Sequence, residues 1–237
     1  MLVAVDTSTQ IASLAILSEE QVMEFTWRAG FDHTQELLPN LIFLLQQYRQ
    51  NIGKSATQPC DLLAEVAGLV VAIGPGSFNG LRVALSTVKG LALARNLPLV
   101  GISTLEAQAY QHCASERPIW SLLRAGRDHV AAAIYQRRGR DWITIQPPRL
   151  TTIDELCAGV REPVLVCGEI HPHPAREIEG RLGALAMIAP PHASLRRAAF
   201  LAVLGRARLE RGERDDVARL EPLYLRRPPI MPRKEQG

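Results

Sequence analysis

The stretch Ile73–Val83, I-G-P-G-S-F-N-G-L-R-V, constrains this chain more than any other. Before it, Ala67 to Ile73 is an apolar run long enough for one buried strand. After it, Leu81, Ala84, Leu85, Val88, Leu91 and Ala92 recur on one face at helical spacing. The glycines therefore fall where a strand hands over to a helix. Gly74, Gly76 and Gly80 allow turn conformations closed to other residues, and Pro75 holds one dihedral between them. Ser77 or Asn79 is the expected N-cap. Such a loop points backbone N–H groups outward at the positive end of a helix, where an anion can be held. It is not a Walker loop, since no G-K-[ST] follows, and it is not G-x-G-x-x-G. A Gly-rich turn that binds nothing is the other reading of the same residues.

The wording of the loop says more than its physics. G-P-G-S-F-N-G-L-R-V resembles the signature of the TsaB (YeaZ) family, the smaller relatives of the TsaD proteins within the actin-like ATPase superfamily. The start of the chain agrees. Leu2 to Val5, Ile11 to Leu17 and Val22 to Trp27 read as three short strands, the first ending in Asp6-Thr7-Ser8-Thr9. That order resembles the opening hairpin of actin-like ATPases, whose D-x-G-T turn holds phosphate and metal. Ser8 replaces the glycine here, which makes close approach to a phosphate harder. Asp6 and Thr7, with Gly74, Gly76 and Ser77, are the candidate nucleotide or anion contacts. Asp6 has a second reading, an Asp that closes a turn through its own backbone.

His33 to Arg49 reads as a helix with Pro39 inside it, and H-[ST]-x-x-L-L-P resembles the family pattern. Leu37, Leu38, Leu41, Ile42, Leu44, Leu45 and Tyr48 form its apolar arc, while Phe43 falls outside. His33 has no second ligand at metal spacing, which favours a capping or packing role. On the helix after the Gly-rich loop, Val83, Ser86, Gly90 and Ala94 are small or compact and lie opposite the apolar stripe. Small residues let another helix approach closely. With Phe43 they are the candidate partner interface.

Pro98 to Ile102 is a further strand, followed by Ser103-Thr104-Leu105-Glu106-Ala107-Gln108. The catalytic TsaD relatives carry V-N-H-x-E-G-H here and bind iron or zinc through its two histidines. Thr104 and Gln108 occupy those positions, and neither replaces an imidazole as a ligand. The resemblance thus implies no catalytic and no metal residues in this chain.

From Pro118 the pattern restarts with strands at Ile119 to Leu123, Val130 to Tyr135, Trp142 to Ile145, Val164 to Gly168 and Leu185 to Ala189. The relatives' D-A-R-x-G-x-V-Y stands here as Arg124 to Val130 without the leading Asp. A second phosphate loop and a Gly-Gly adenine turn are missing. His171-Pro172-His173-Pro174 reads as a loop. Ser194 to Arg211 reads as a long helix capped by Ser194, and Glu221 to Arg226 resembles the family's closing P-x-Y-[LI]-R. No internal repeat stands out.

Composition narrows the class. A chain of 237 residues that is 47% hydrophobic has ample core for one large or two small domains. Met1 runs directly into a strand, and no apolar run approaches bilayer length, so a cytoplasmic protein with no membrane contact is expected. Cys60, Cys113, Cys157 and Cys167 lack C-x-x-C spacing and read as buried or incidental thiols. The net charge of +3 does not identify a nucleic-acid binder. A local basic cluster, Arg226, Arg227, Arg233 and Lys234, ends the chain in a Pro-rich tail that reads as solvated.

The resemblance implies an α/β fold of two actin-like (ASKHA, ribonuclease H-like) domains, residues 1–115 and 116–237, the second degenerate. It implies a non-catalytic partner subunit of the complex that transfers threonylcarbamoyl to the adenosine beside the anticodon in tRNAs reading ANN codons. A TsaD-like protein would be its heterodimer partner, a TsaE-like ATPase would join them, and tRNA would be met through the complex. ATP and a metal ion would then belong to the partner subunits, and a homodimer is the alternative assembly of the isolated chain. The rival reading is a free-standing kinase or ATPase of the same superfamily, favoured by Asp6 and the Gly-rich loop.

Overall fold

The computed structural model describes residues 1–30, 32–53, 62–170 and 172–225. Two five-stranded mixed sheets carry the fold. In the first, β1 (Leu2–Asp6), β2 (Ile11–Leu17) and β3 (Val22–Arg28) form an antiparallel meander. β4 (Gly68–Gly74) and β5 (Leu99–Ser103) join parallel to β1, giving the order β3-β2-β1-β4-β5. In the second, β6 (Ile119–Arg124), β7 (Val130–Arg138) and β8 (Asp141–Thr151) form the meander, and β9 (Val164–Glu169) and β10 (Ala186–Ile188) the parallel part. Read from β8 its order is β8-β7-β6-β9-β10, the same path as the first. The restart of strands at Pro118 is this second copy of the path, although the two cores use different side chains on it.

The central parallel strand β4 is apolar throughout, as a strand covered on both faces must be. Val70 and Val71 are buried to the last atom. The edge strand β8 extends past the expected Trp142 to Ile145 and takes in Pro147 and Pro148, which only an edge tolerates.

Helix α1 (His33–Asn51) keeps Pro39 within it and buries Leu37, Leu41, Leu44, Leu45 and Tyr48 against the first sheet. Helix α2 (Phe78–Arg95) lies beside it on the same core. Ser77 is its N-cap, with Oγ accepting from the Gly80 N–H. Two helices then change sides. Helix α3 (Thr104–Tyr110) follows the first sheet in sequence, yet Leu105 and Ala109 pack with Ile119, Tyr135 and Leu165 of the second. After α4 (Ile153–Cys157) and α5 (Pro172–Leu182), helix α6 (Ala198–Glu210) returns to the first sheet. There Ala198, Leu201 and Ala202 meet Ala4, Val70 and Val100. A division at residue 115 therefore cuts across the packing, because each layer needs one helix from the other half of the chain.

Two local expectations change. His173-Pro174 lies inside α5, which starts at Pro172, because a proline in the first turn lacks only an N–H that would have no partner there anyway. His171 lies outside the described residues. Helix α6 starts at Ala198 and Ser194 does not cap it. Its first amides are taken by the first sheet, Ala198 N–H by Ser13 Oγ at 3.0 Å and Ala199 N–H by Glu24 Oε1 at 3.0 Å. Cys157 and Cys167 are buried and Cys113 half-buried, all as free thiols. Burial pushes the Cys167 thiol up to about 12, which makes it inert. Cys60 and the basic tail cluster lie outside the described residues. Among the described residues no helix is long and apolar enough to cross a membrane.

Candidate functional site

The turn after β1 and the Gly-rich loop after β4 meet back to back. Thr7 Oγ1 donates to the Gly80 carbonyl at 2.7 Å, and the Ser77 N–H donates to the Ser8 carbonyl. A Cβ on Gly76 would strike the Ser8 carbonyl oxygen, and one on Gly80 the Thr7 carbonyl oxygen. These two glycines thus let one backbone pass against another. Gly74, at φ +108°, faces the Leu223 carbonyl and Leu81.

Asp6 is consumed from within. Its Oδ1 accepts both the N–H (2.8 Å) and the hydroxyl of Ser8, closing the turn as the second reading had it. Its Oδ2 faces the Arg196 guanidinium at 3.5 Å. The Asp6 carboxylate and the Thr7 hydroxyl are therefore both engaged by partners within the chain. His33 is buried beside this turn, and burial holds its imidazole below the usual histidine range. That is a packing role.

Thr104 and Gln108 lie one turn apart on α3 and are fully buried. Gln108 Nε2 donates to the Ser194 carbonyl at 2.9 Å, so the side chain ties α3 to the segment before α6. Among the described residues no group of three or more His, Cys, Asp and Glu side chains could hold a metal ion.

The closing motif reaches the same loop. The Leu223 N–H donates to the Ile73 carbonyl at 2.7 Å, and Tyr224 stacks on Phe78 with ring centroids 5.3 Å apart. The Arg82 guanidinium lies over the Phe78 ring at 5.1 Å. This contact joins two motifs that the sequence could only place separately.

The candidate interface residues do not share one surface. Ser86, Gly90 and Ala94 are exposed on α2, together with Leu93, which is 73% exposed, while Val83 is half-buried and packs partly against the first core. Nothing lies within 4 Å of a Cβ built on Gly90. Phe43 is 48% exposed but turns away from α2 and packs edge-on to Phe25 of β3, at 5.9 Å between centroids. The apolar residues of α1 left exposed on its α2 flank are Leu38 and Ile42, which the periodicity had counted as core. Their place there follows from Thr34, one turn before Leu38, which lines a groove with Asn79, Arg82 and Val83.

A family model described as TsaD, tRNA N6-adenosine threonylcarbamoyltransferase, matches residues 33–164. The tRNA threonylcarbamoyladenosine biosynthesis protein TsaB of Escherichia coli is 31% identical over 138 residues, 58% of this chain and 51% of that protein. The protein of the same name from Bacillus subtilis is 27% identical over 230 residues, 95% of this chain and 93% of that one. The chain belongs to the TsaD family, on its TsaB (YeaZ) branch. The matched region thus spans about half the length of the E. coli TsaB and nearly all of the B. subtilis one. The solved structure of YeaZ from Pseudomonas aeruginosa superposes with a TM-score of 0.76 at 23% identity, covering 94% of this chain and 99% of that one. The mixed α/β architecture accordingly fits the actin-like fold of the TsaB branch.

Proposed function

We propose that this chain is a partner subunit of the machinery that places threonylcarbamoyl on the adenosine beside the anticodon of tRNAs reading ANN codons, and that it is not catalytic by itself. Its two sheets act as two actin-like domains, the second having lost the loops that would close on a nucleotide. The observation that carries the reading is the outer face of α2. Val83, Ser86, Gly90, Leu93 and Ala94 line it with small or apolar side chains, and the exposed Arg82 is the charge beside them. Surface helices ordinarily put several charged residues there, and an exposed run of small and apolar residues with a bare glycine suits close helix contact.

The partner is a TsaD-like subunit that brings the metal. A TsaE-like ATPase brings ATP, and tRNA is engaged by the whole assembly in the cytoplasm. The isolated chain pairs with a second copy through the same face. The self-satisfied Asp6 turn and the buried Thr104 and Gln108 support a supporting role over the kinase or ATPase reading. Co-purification of the tagged full chain from its native cytoplasm tests this. A TsaD-like protein retained in stoichiometric amount is the expected result. ATP turnover by the purified chain alone would return the kinase reading.

A further inference from the structure

On one side, the two sheet layers are joined by apolar contact. Tyr110 of α3 meets Trp142 of β8 edge-on at 5.2 Å and Phe200 of α6 at 6.5 Å between centroids. Between the turn after β1 and the end of β9 the contacts are polar instead. Thr9 Oγ1 donates to Glu169 Oε1 at 2.8 Å. Arg196 reaches between them, with Nη2 3.0 Å from Glu169 Oε1 and also donating to Thr9 Oγ1, and Nε 3.5 Å from Asp6. Arg196 thus couples a carboxylate of the first sheet to one of the second.

Two features set this bridge apart from an ordinary strut. Arg196 is 3% exposed, yet its Nε and Nη1 have no hydrogen-bond acceptor. A buried guanidinium held by charge with part of its donor fork unused is an incompletely satisfied group, and such groups are costly to keep. Two of the bridged residues, Thr9 and Glu169, also line both of two neighbouring cavities, of about 480 Å³ and about 780 Å³, which share Gln10 as well. The Thr9–Glu169 hydrogen bond, which Arg196 backs, thus joins two residues common to both linings.

We propose that Arg196 is a built-in cation that latches the mouth of the cleft between the two sheets, and that release of Glu169 lets the two cavities join while the apolar side of Tyr110, Trp142 and Phe200 acts as the hinge. The width of the cleft is then set by a side-chain bridge inside the chain.

Hydrogen exchange on the full-length chain tests this with Glu169→Ala, which breaks the link at a half-exposed position and leaves the Asp6–Arg196 pair intact. Amides of residues 9–10 and 168–170 should exchange about tenfold faster, while those of β4 and β7 keep their rates. Arg196→Met should give the same pattern. Arg197→Met is the control, since Arg197 pairs with Glu24 in the first layer only and should leave the cleft amides unchanged. Unaltered exchange at the cleft in folded Glu169→Ala and Arg196→Met overturns the latch. Uniform acceleration across all strands overturns it as well, because it would mean a merely structural ion pair.

Discussion

The Tyr224 ring lies stacked on the Phe78 ring, 5.3 Å between centroids with the planes 30° apart. Phe78 opens α2 and Tyr224 belongs to the last described segment, so that segment closes over the loop that the sequence is organised around. Leu223 holds the strap at β4, and Leu225 continues onto the core of the second sheet.

Cutting Tyr224 back to alanine should therefore loosen that strap. An aromatic pair contributes about 1 kcal/mol beyond its area, which for a chain of this size lowers the melting temperature by about 2–4 °C. Tyr224→Phe should melt like the parent. Thermal melts of the two variants separate stacking from any role of the hydroxyl.

Three glycines should answer differently to alanine. Gly76→Ala and Gly80→Ala drive a methyl into the carbonyls of Ser8 and Thr7, where only backbone could give way, and should each cost about 2 kcal/mol or more. Gly90→Ala adds a methyl in open space on a helix and should stabilise the isolated chain by about 0.5–1 kcal/mol. Urea denaturation of the three variants checks this. Equal losses at all three would mean that Gly90 also serves the fold of the monomer.

Stability should fall on mild acidification through His33. Burial depresses its pKa in the folded state below the ordinary 6.5. Between the folded value and 6.5 the unfolded chain binds more protons, so stability rises with pH across that window and is flat above it. His112, also depressed by burial, adds a parallel slope. His33→Asn should reduce the slope without removing it, as read from denaturation midpoints between about pH 5 and pH 8.

Metal should be dispensable. With Gln108 spent on the Ser194 carbonyl and no ligand cluster among the described residues, chelator treatment should leave the melting temperature where it was. About one iron or zinc per chain by elemental analysis, lost together with stability on chelation, would contradict this.

The fold was legible wherever local pattern decides it. Strands β1 to β5 and helices α1 and α2 follow from apolar runs, spacing and the Ser77 cap within a residue or two. What escaped depends on partners distant in sequence. Helix α6 takes its caps from Ser13 and Glu24, so Ser194 looked like the cap to any local reading. Leu38 and Ile42 fit the apolar arc of α1, yet both stay exposed at its edge. Arg196 carried no signal at all, as one arginine among 24, until the two sheets brought Asp6 and Glu169 to it. The Gly-rich loop was the opposite case. Its glycines were found at once, but their reason, two backbones in contact, is tertiary and has no local signature.

The docking face of α2 is the centre of the functional reading, and Gly90→Leu addresses it most directly. The side chain has free space in the monomer, so its melting temperature should stay within about 2 °C of the parent. Binding to the TsaD-like partner, measured by calorimetry with both proteins purified, should weaken about tenfold or more, since a bulky group at a tight helix crossing holds the surfaces apart. A normally folded Gly90→Leu chain that binds the partner with undiminished affinity would contradict the assignment of this face.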